Sequence, residues 1–192
     1  MYKRFITLFS ARFLLVLLSL LWGWQSAQAA PLLELRGATE QARGAADAQV
    51  RLSLLGISND AQNQAVTRAY QNYLSRQDVE AFTKALQAQN TSGYLFTQAA
   101  SGYSVKYAWQ DANDPGRLVL LITPALKTRN PYLWREPNTS TEPFTLLELR
   151  KEGNNLTMKS AQSDAAEVAD GHLQLRDYAS AATFATLRDA TP

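Results

Sequence analysis

Gly102-Tyr103-Ser104-Val105-Lys106-Tyr107-Ala108-Trp109-Gln110 opens the stretch that decides the fold, which runs on to Ala161 through Leu118–Thr123, Phe144–Lys151 and Leu156–Ala161. Tyr103, Val105, Tyr107 and Trp109 alternate with Ser104, Lys106, Ala108 and Gln110. A period of two predicts a half-buried antiparallel strand with one aromatic face turned inward. From Leu118 to Ile122 the alternation gives way to an unbroken apolar run, as in a central strand covered on both faces. Glu152-Gly153-Asn154-Asn155 separates the last two runs, and Gly and Asn accept the positive φ that a hairpin turn requires. Asp111–Gly116 reads as a second hairpin turn, because it lacks the later Glu of a calcium loop.

Working outward, Leu32–Arg36 and Gln49–Leu55 predict two earlier strands, with Gly37–Asp47 as the loop between them. Val66, Ala69, Tyr70, Tyr73 and Leu74 fall on one stripe of a helix that begins near Asp60. Ser75-Arg76-Gln77-Asp78 has capping-box spacing and predicts a second helix starting there, with Val79, Phe82 and Leu86 buried. Gly93–Gln98 predicts another strand, with Tyr94 and Phe96 on one side. Gln162–Gly171 is polar and reads as an outward loop or a single helical turn, and His172–Tyr178 and Thr183–Leu187 as the closing strands. The expected fold is therefore α+β and mostly antiparallel: a sandwich or partly open barrel of about eight strands, with a pair of short helices inserted near 60–89.

The 192-residue chain opens with Lys3, Arg4 and Arg12 around an apolar run, Phe13–Trp24, followed by small residues at Ala27-Gln28-Ala29. This is the pattern of a cleaved secretory signal over residues 1–29, too short for a membrane span of ~20 apolar residues. Residues 30–192 are expected to form one β-rich domain. Removing three of the 19 basic residues leaves 16 against 17 acidic ones, so the mature chain is near neutral. The calculated pI of 8.9 belongs mainly to the precursor, and neither it nor any basic run argues for nucleic acid. With no cysteine, an exported chain of this kind rests on packing and hydrogen bonds alone, which suits a bacterial periplasm. A monomer is the default expectation.

His172 is the sole histidine, and alternation with Leu173 and Leu175 puts it on a solvated strand face. Without Cys or a second His, a nucleophile–His pair or a zinc site has few residues to draw on, and no glycine-rich spacing calls for a nucleotide cofactor. Glu136, Glu142, Glu148 and Asp177 remain as carboxylates for a glycoside-type hydrolase, although Glu148 beside Arg150 reads first as a cross-strand ion pair. Tyr103, Tyr107 and Trp109 read first as core, with the lining of a ligand cavity as the alternative.

The loop 124–143 has the strongest functional pattern. Its ~20 residues greatly exceed the usual connection, four prolines mark it, and Arg129, Tyr132, Trp134 and Arg135 are of the types that anchor interfaces. The alternative is that Tyr132 and Trp134 plug one end of the sheet. The leading expectation is an exported, non-enzymatic protein that binds a small molecule or an envelope partner through Arg129, Tyr132, Trp134 and Arg135. A carboxylate-based hydrolase acting on envelope polymers and a structural or chaperone-like module are the rivals.

Leu33–Gly37, Gly102–Trp109, Arg117–Leu120 and Pro143–Arg150 together resemble an uncharacterised family of secreted bacterial proteins. In that family a GY-x-[IV]-x-YA strand precedes a RIVL-x-TDR strand and a YPFT-x-IELR strand. The resemblance implies an exported fold with no known activity. Thr123-Pro124-Ala125 stands where the family has Thr-Asp-Arg, so nothing that depends on that Asp-Arg pair carries over.

Overall fold

The computed structural model describes residues 31–39, 49–97, 102–126 and 143–189. The expected signal segment and most of the 124–143 loop, including Arg129, Tyr132, Trp134 and Arg135, lie outside the described residues. Ten strands are described: β1 (Leu33–Thr39), β2 (Gln49–Leu54), β3 (Gly93–Thr97), β4 (Tyr103–Gln110), β5 (Leu118–Thr123), β6 (Thr145–Glu152), β7 (Asn155–Ala161), β8 (Ala166–Ala169), β9 (His172–Leu175) and β10 (Ala182–Asp189). Two helices, α1 (Asp60–Arg76) and α2 (Val79–Gln87), sit between β2 and β3. No helix among the described residues is long and apolar enough to cross a membrane.

Eight strands close on themselves in the order β1-β2-β3-β4-β5-β6-β7-β10, every neighbour antiparallel. Closure removes the free edges that an open sheet would leave. The expected α+β, mostly antiparallel architecture is thus present, in its barrel form. β8 and β9 pair only with each other, so His172–Leu175 does not enter the barrel wall as a closing strand. Nor does the segment before it loop outward: after a 3-10 turn at Ser163–Ala165 it becomes β8, with Ala166 wholly buried. Alternation in Ala166, Val168, Leu173 and Leu175 gives this hairpin one apolar face, which seats it on the outside of β6.

Two cores result. Inside the barrel, Leu35, Leu52, Leu95, Leu120, Leu147 and Met158 pack with their neighbours and fill the interior. An eight-stranded barrel is just narrow enough for side chains to do this. Outside it, α1, α2 and the β8–β9 hairpin cover β4, β5 and β6. β5 consequently has no exposed residue, as its unbroken apolar run predicts. Phe144 lies at the centre of the outer core, edge-on to Tyr70 at 5.8 Å and against Phe82 at 5.2 Å.

The single aromatic face expected in β4 does not exist. Val105 pairs with Ile122 and Tyr107 with Leu121, so Lys106 is a bulge with no partner in β5. An extra residue inverts the alternation beyond it. Tyr103 and Val105 therefore face the barrel interior, whereas Tyr107 and Trp109 face outward into the second core, and Ala108 takes the inward position. Tyr107 is fully buried all the same, beneath α1.

The helix boundaries follow side-chain caps. Asn59 Oδ1 accepts from Gln62 N at 2.9 Å and begins α1; Gln77, at φ 55°, ends it and donates its N–H to Tyr73 O. α2 is capped by Asp78, whose Oδ1 accepts from Ala81 N at 2.9 Å. The capping-box spacing at Ser75 thus places the start of this helix three residues early, because the Ser75 hydroxyl bonds back to Gln71 O and Asn72 O inside the last turn of α1. Phe82 and Leu86 are buried as expected, but Val79 and Leu74 are exposed. Each stands at the end of its apolar stripe.

Candidate functional site

A groove of 510 Å³ opens between α2 and the outer faces of β4 and β5. Val79, Thr83 and Gln87 line one wall, and their i, i+4, i+8 spacing is one stripe of α2 beside the buried Phe82 and Leu86. Ser104, Lys106, Thr123, Pro124 and Pro143 complete the lining. Its size falls in the range of small-molecule sites, which are typically 300–1,000 Å³. Pro124 and Pro143, the two ends of the proline-marked loop, both line this groove, while Leu126 packs into the barrel interior.

Lys106 is the charged residue of the lining. Its Nζ donates to Gln89 O at 3.0 Å and to Thr91 Oγ1 at 3.1 Å. An ammonium has three N–H donors, so one remains. Both acceptors are neutral, and among the described residues no carboxylate forms an ion pair with Lys106. The bulge sets this geometry from the main chain: Gln62 Nε2 donates to Lys106 O at 3.0 Å, Ser92 N to Val105 O at 2.8 Å, and Ala108 N to Ser58 Oγ at 2.9 Å. Polar groups of the helical insertion thus take up backbone groups around the irregularity, and the side chain rises from a fixed base.

The carboxylate expected to pair across strands is more deeply engaged than its sequence context suggests. Glu148 is fully buried on the outer face of β6. Its Oε1 accepts from Arg117 Nε at 2.8 Å and from Arg150 Nη2 at 2.7 Å, and its Oε2 accepts from Leu175 N at 3.1 Å. Arg117 also donates to Gln174 Oε1 at 2.7 Å, and the Arg150 guanidinium lies 4.1 Å from the Tyr178 ring centre. Both oxygens are occupied, and the cluster clamps the β8–β9 hairpin to the barrel. Asp177 is a turn residue: its carboxylate accepts from Ala179 N and Ser180 N, and hydrogen bonds from Ser180 hold it below the usual carboxylate range. Glu136 and Glu142 lie outside the described residues.

His172 is not on a solvated face. Its ring stacks on Trp109 with centroids 4.3 Å apart, and Nδ1 is buried with no hydrogen-bond partner among the described residues. Alternation places it correctly opposite Leu173, but the bulge in β4 swings Trp109 round to cover it. Tyr107 is likewise structural, since its hydroxyl donates to Asn63 Oδ1 at 2.9 Å and burial pushes its pKa upward. Neither aromatic lines a cavity in the barrel. No group of three or more His, Cys, Asp or Glu capable of holding a metal occurs among the described residues.

Strict alternation hides Lys106, because it makes this lysine one more polar residue on a solvated face. The trace that points to it is Ala108, an apolar residue next to Tyr107 where alternation calls for a polar one. No family model, curated protein or solved structure matches this chain.

Proposed function

We propose that this is an exported, non-enzymatic binding protein of the bacterial envelope, and that it takes a small anionic molecule in the groove between α2 and β4–β5. One observation carries the reading: Lys106 lines a 510 Å³ groove walled by Thr83, Ser104 and Pro124, and among the described residues its ammonium meets only two acceptors, both neutral. In a partly desolvated cleft a cation held by neutral acceptors gains by meeting an anion. The carboxylate of Glu148, taken up by Arg117, Arg150 and the Leu175 N–H, is engaged in holding the fold, which favours binding over turnover. Export is supported by the Lys3–Ala29 pattern.

The test is amide chemical-shift mapping with galacturonate and with inorganic phosphate, each at millimolar concentration. At least one should move Thr83, Gln87, Ser104 and Lys106 together and leave the β8–β9 amides in place. Lys106→Gln keeps a donor for Gln89 O and removes the charge, so it should retain the fold and lose the response. If neither anion moves these residues, or if Lys106→Gln responds as the parent does, the reading fails.

A further inference from the structure

The groove continues onto an open sheet face. Tyr94 on β3 pairs directly with Ser104, a groove-lining residue, and on its other side with Ser53 of β2, which pairs with Glu34 of β1. All of these lie on the outer face, because the intervening Leu35, Leu52, Leu95 and Val105 point into the barrel. Tyr94 is 38% exposed. Phe96, two residues on, supports its ring at 6.2 Å, and the Arg51 guanidinium lies 4.3 Å from the centre of the Phe96 ring. No hydrogen bond to the Ser53 or Ser104 hydroxyl occurs among the described residues. One strand spacing separates Tyr94 from Ser104, and two residues along β4 separate Ser104 from Lys106, so the backbones of Tyr94 and Lys106 are roughly 8 Å apart.

We infer that the ligand is an acidic oligosaccharide whose carboxylated sugar sits at Lys106 and whose adjoining sugar stacks on Tyr94; this rests on the groove reading above. A pyranose ring has an apolar C–H face and a rim of hydroxyls, so it needs a flat aromatic surface edged by hydrogen-bonding groups. Tyr94 between Ser53 and Ser104 is such a surface, since an aromatic ring offers area with little loss of side-chain freedom. Two linked sugar rings span the distance to Lys106. The rival chain-like ligands fit less well. An added peptide strand needs an open edge, which the closed barrel lacks, and a nucleic acid needs a track of free cations, whereas of Arg36, Arg51, Arg188 and Lys106 on this face Arg36 is ion-paired with Glu34 and Arg51 lies over Phe96.

Titration calorimetry of the protein with galacturonate, trigalacturonate and neutral maltotriose tests this. Trigalacturonate should bind about tenfold tighter than galacturonate, a factor of the size one aromatic contact supplies. Tyr94→Ala should erase that advantage and leave galacturonate binding unchanged, while Tyr94→Phe keeps it; because Tyr94 is exposed, neither substitution should alter the melting temperature. Trimer binding no tighter than monomer, or unaffected by Tyr94→Ala, overturns the extended site and leaves the groove standing. Maltotriose binding as tightly as trigalacturonate overturns the acidic specificity. If none of the three binds, the saccharide inference is overturned, whereas the groove reading is decided separately by the shift mapping at Lys106.

Discussion

Gln62 Nε2 donates to Lys106 O at 3.0 Å, and the same nitrogen donates to Asn90 O at 3.0 Å. The first acceptor belongs to the bulge in β4; the second lies in the turn that leads from α2 into β3. A side chain in the first turn of α1 therefore ties the helical insertion to the irregularity in the barrel wall beneath it. That tie holds the first turn of α1 and the end of the α2–β3 turn against β4, beside the groove.

The buried carboxylate predicts a large loss of stability outside the barrel interior. Glu148→Gln leaves Arg150 without its anion and Arg117 with only Asp111 Oδ2 at 3.5 Å, and breaking a buried pair costs about 3–5 kcal/mol. Arg150 is more than a third exposed, so solvent screening keeps the loss near the low end, about 3 kcal/mol. For a chain of this size that corresponds to a melting temperature lower by roughly 6–12 °C. Thermal denaturation measures it, and amide exchange at Leu175 should quicken in the same variant. An unchanged melting point would show that the cluster does not clamp the hairpin.

Two glycines make opposite predictions. A Cβ on Gly37 would collide with the Thr186 carbonyl oxygen across the β1–β10 seam, and a backbone atom cannot swing aside. Gly37→Ala should cost about 3 kcal/mol, the upper end for overpacking, and weaken the pairing that closes the barrel. At Gly56 a Cβ meets nothing within 4 Å. Gly56→Ala should lie within about 0.5 kcal/mol of the parent, as a surface change does. Urea unfolding of the two variants side by side separates these outcomes.

Alkaline pH should loosen the outer core. Burial raises Tyr70 and Tyr178 from 10.0 to about 12, and Tyr107 is raised as well. In the unfolded chain these phenols lose their protons near pH 10, while the folded protein keeps them until about 12. Between those values the unfolded state binds fewer protons, so stability is complete below about pH 10 and falls as pH rises towards about 12. Tyr70→Phe removes one such group and should flatten the decline by at most about 1.4 kcal/mol per pH unit. It also leaves the Ala166 carbonyl without its donor, at a cost of about 1 kcal/mol at neutral pH. Unfolding free energies measured from about pH 8 to about pH 12 test both effects.

Local pattern alone determined the strands β2 to β7 and β10, β1 as far as Arg36 though not its run through Gly37–Thr39, the helix pair with its Phe82 and Leu86 face, the hairpin turns at Asp111–Gly116 and Gly153, and the two-sided burial of β5. Each is a matter of short-range periodicity or of φ preference, and both are written residue by residue. Tertiary structure decided that the sheet closes, that β8–β9 folds over the outside, that Glu148 meets Arg117 as well as Arg150, and that Trp109 covers His172. It also decided the site. A bulge adds one residue to one side of a pairing, so it depends on what β5 offers across the ladder and on whether Gln62 and Ser58 can satisfy the backbone groups beside it. Those partners stand 44 and 50 residues away in the chain, and only folding brings them to Lys106 and Ala108.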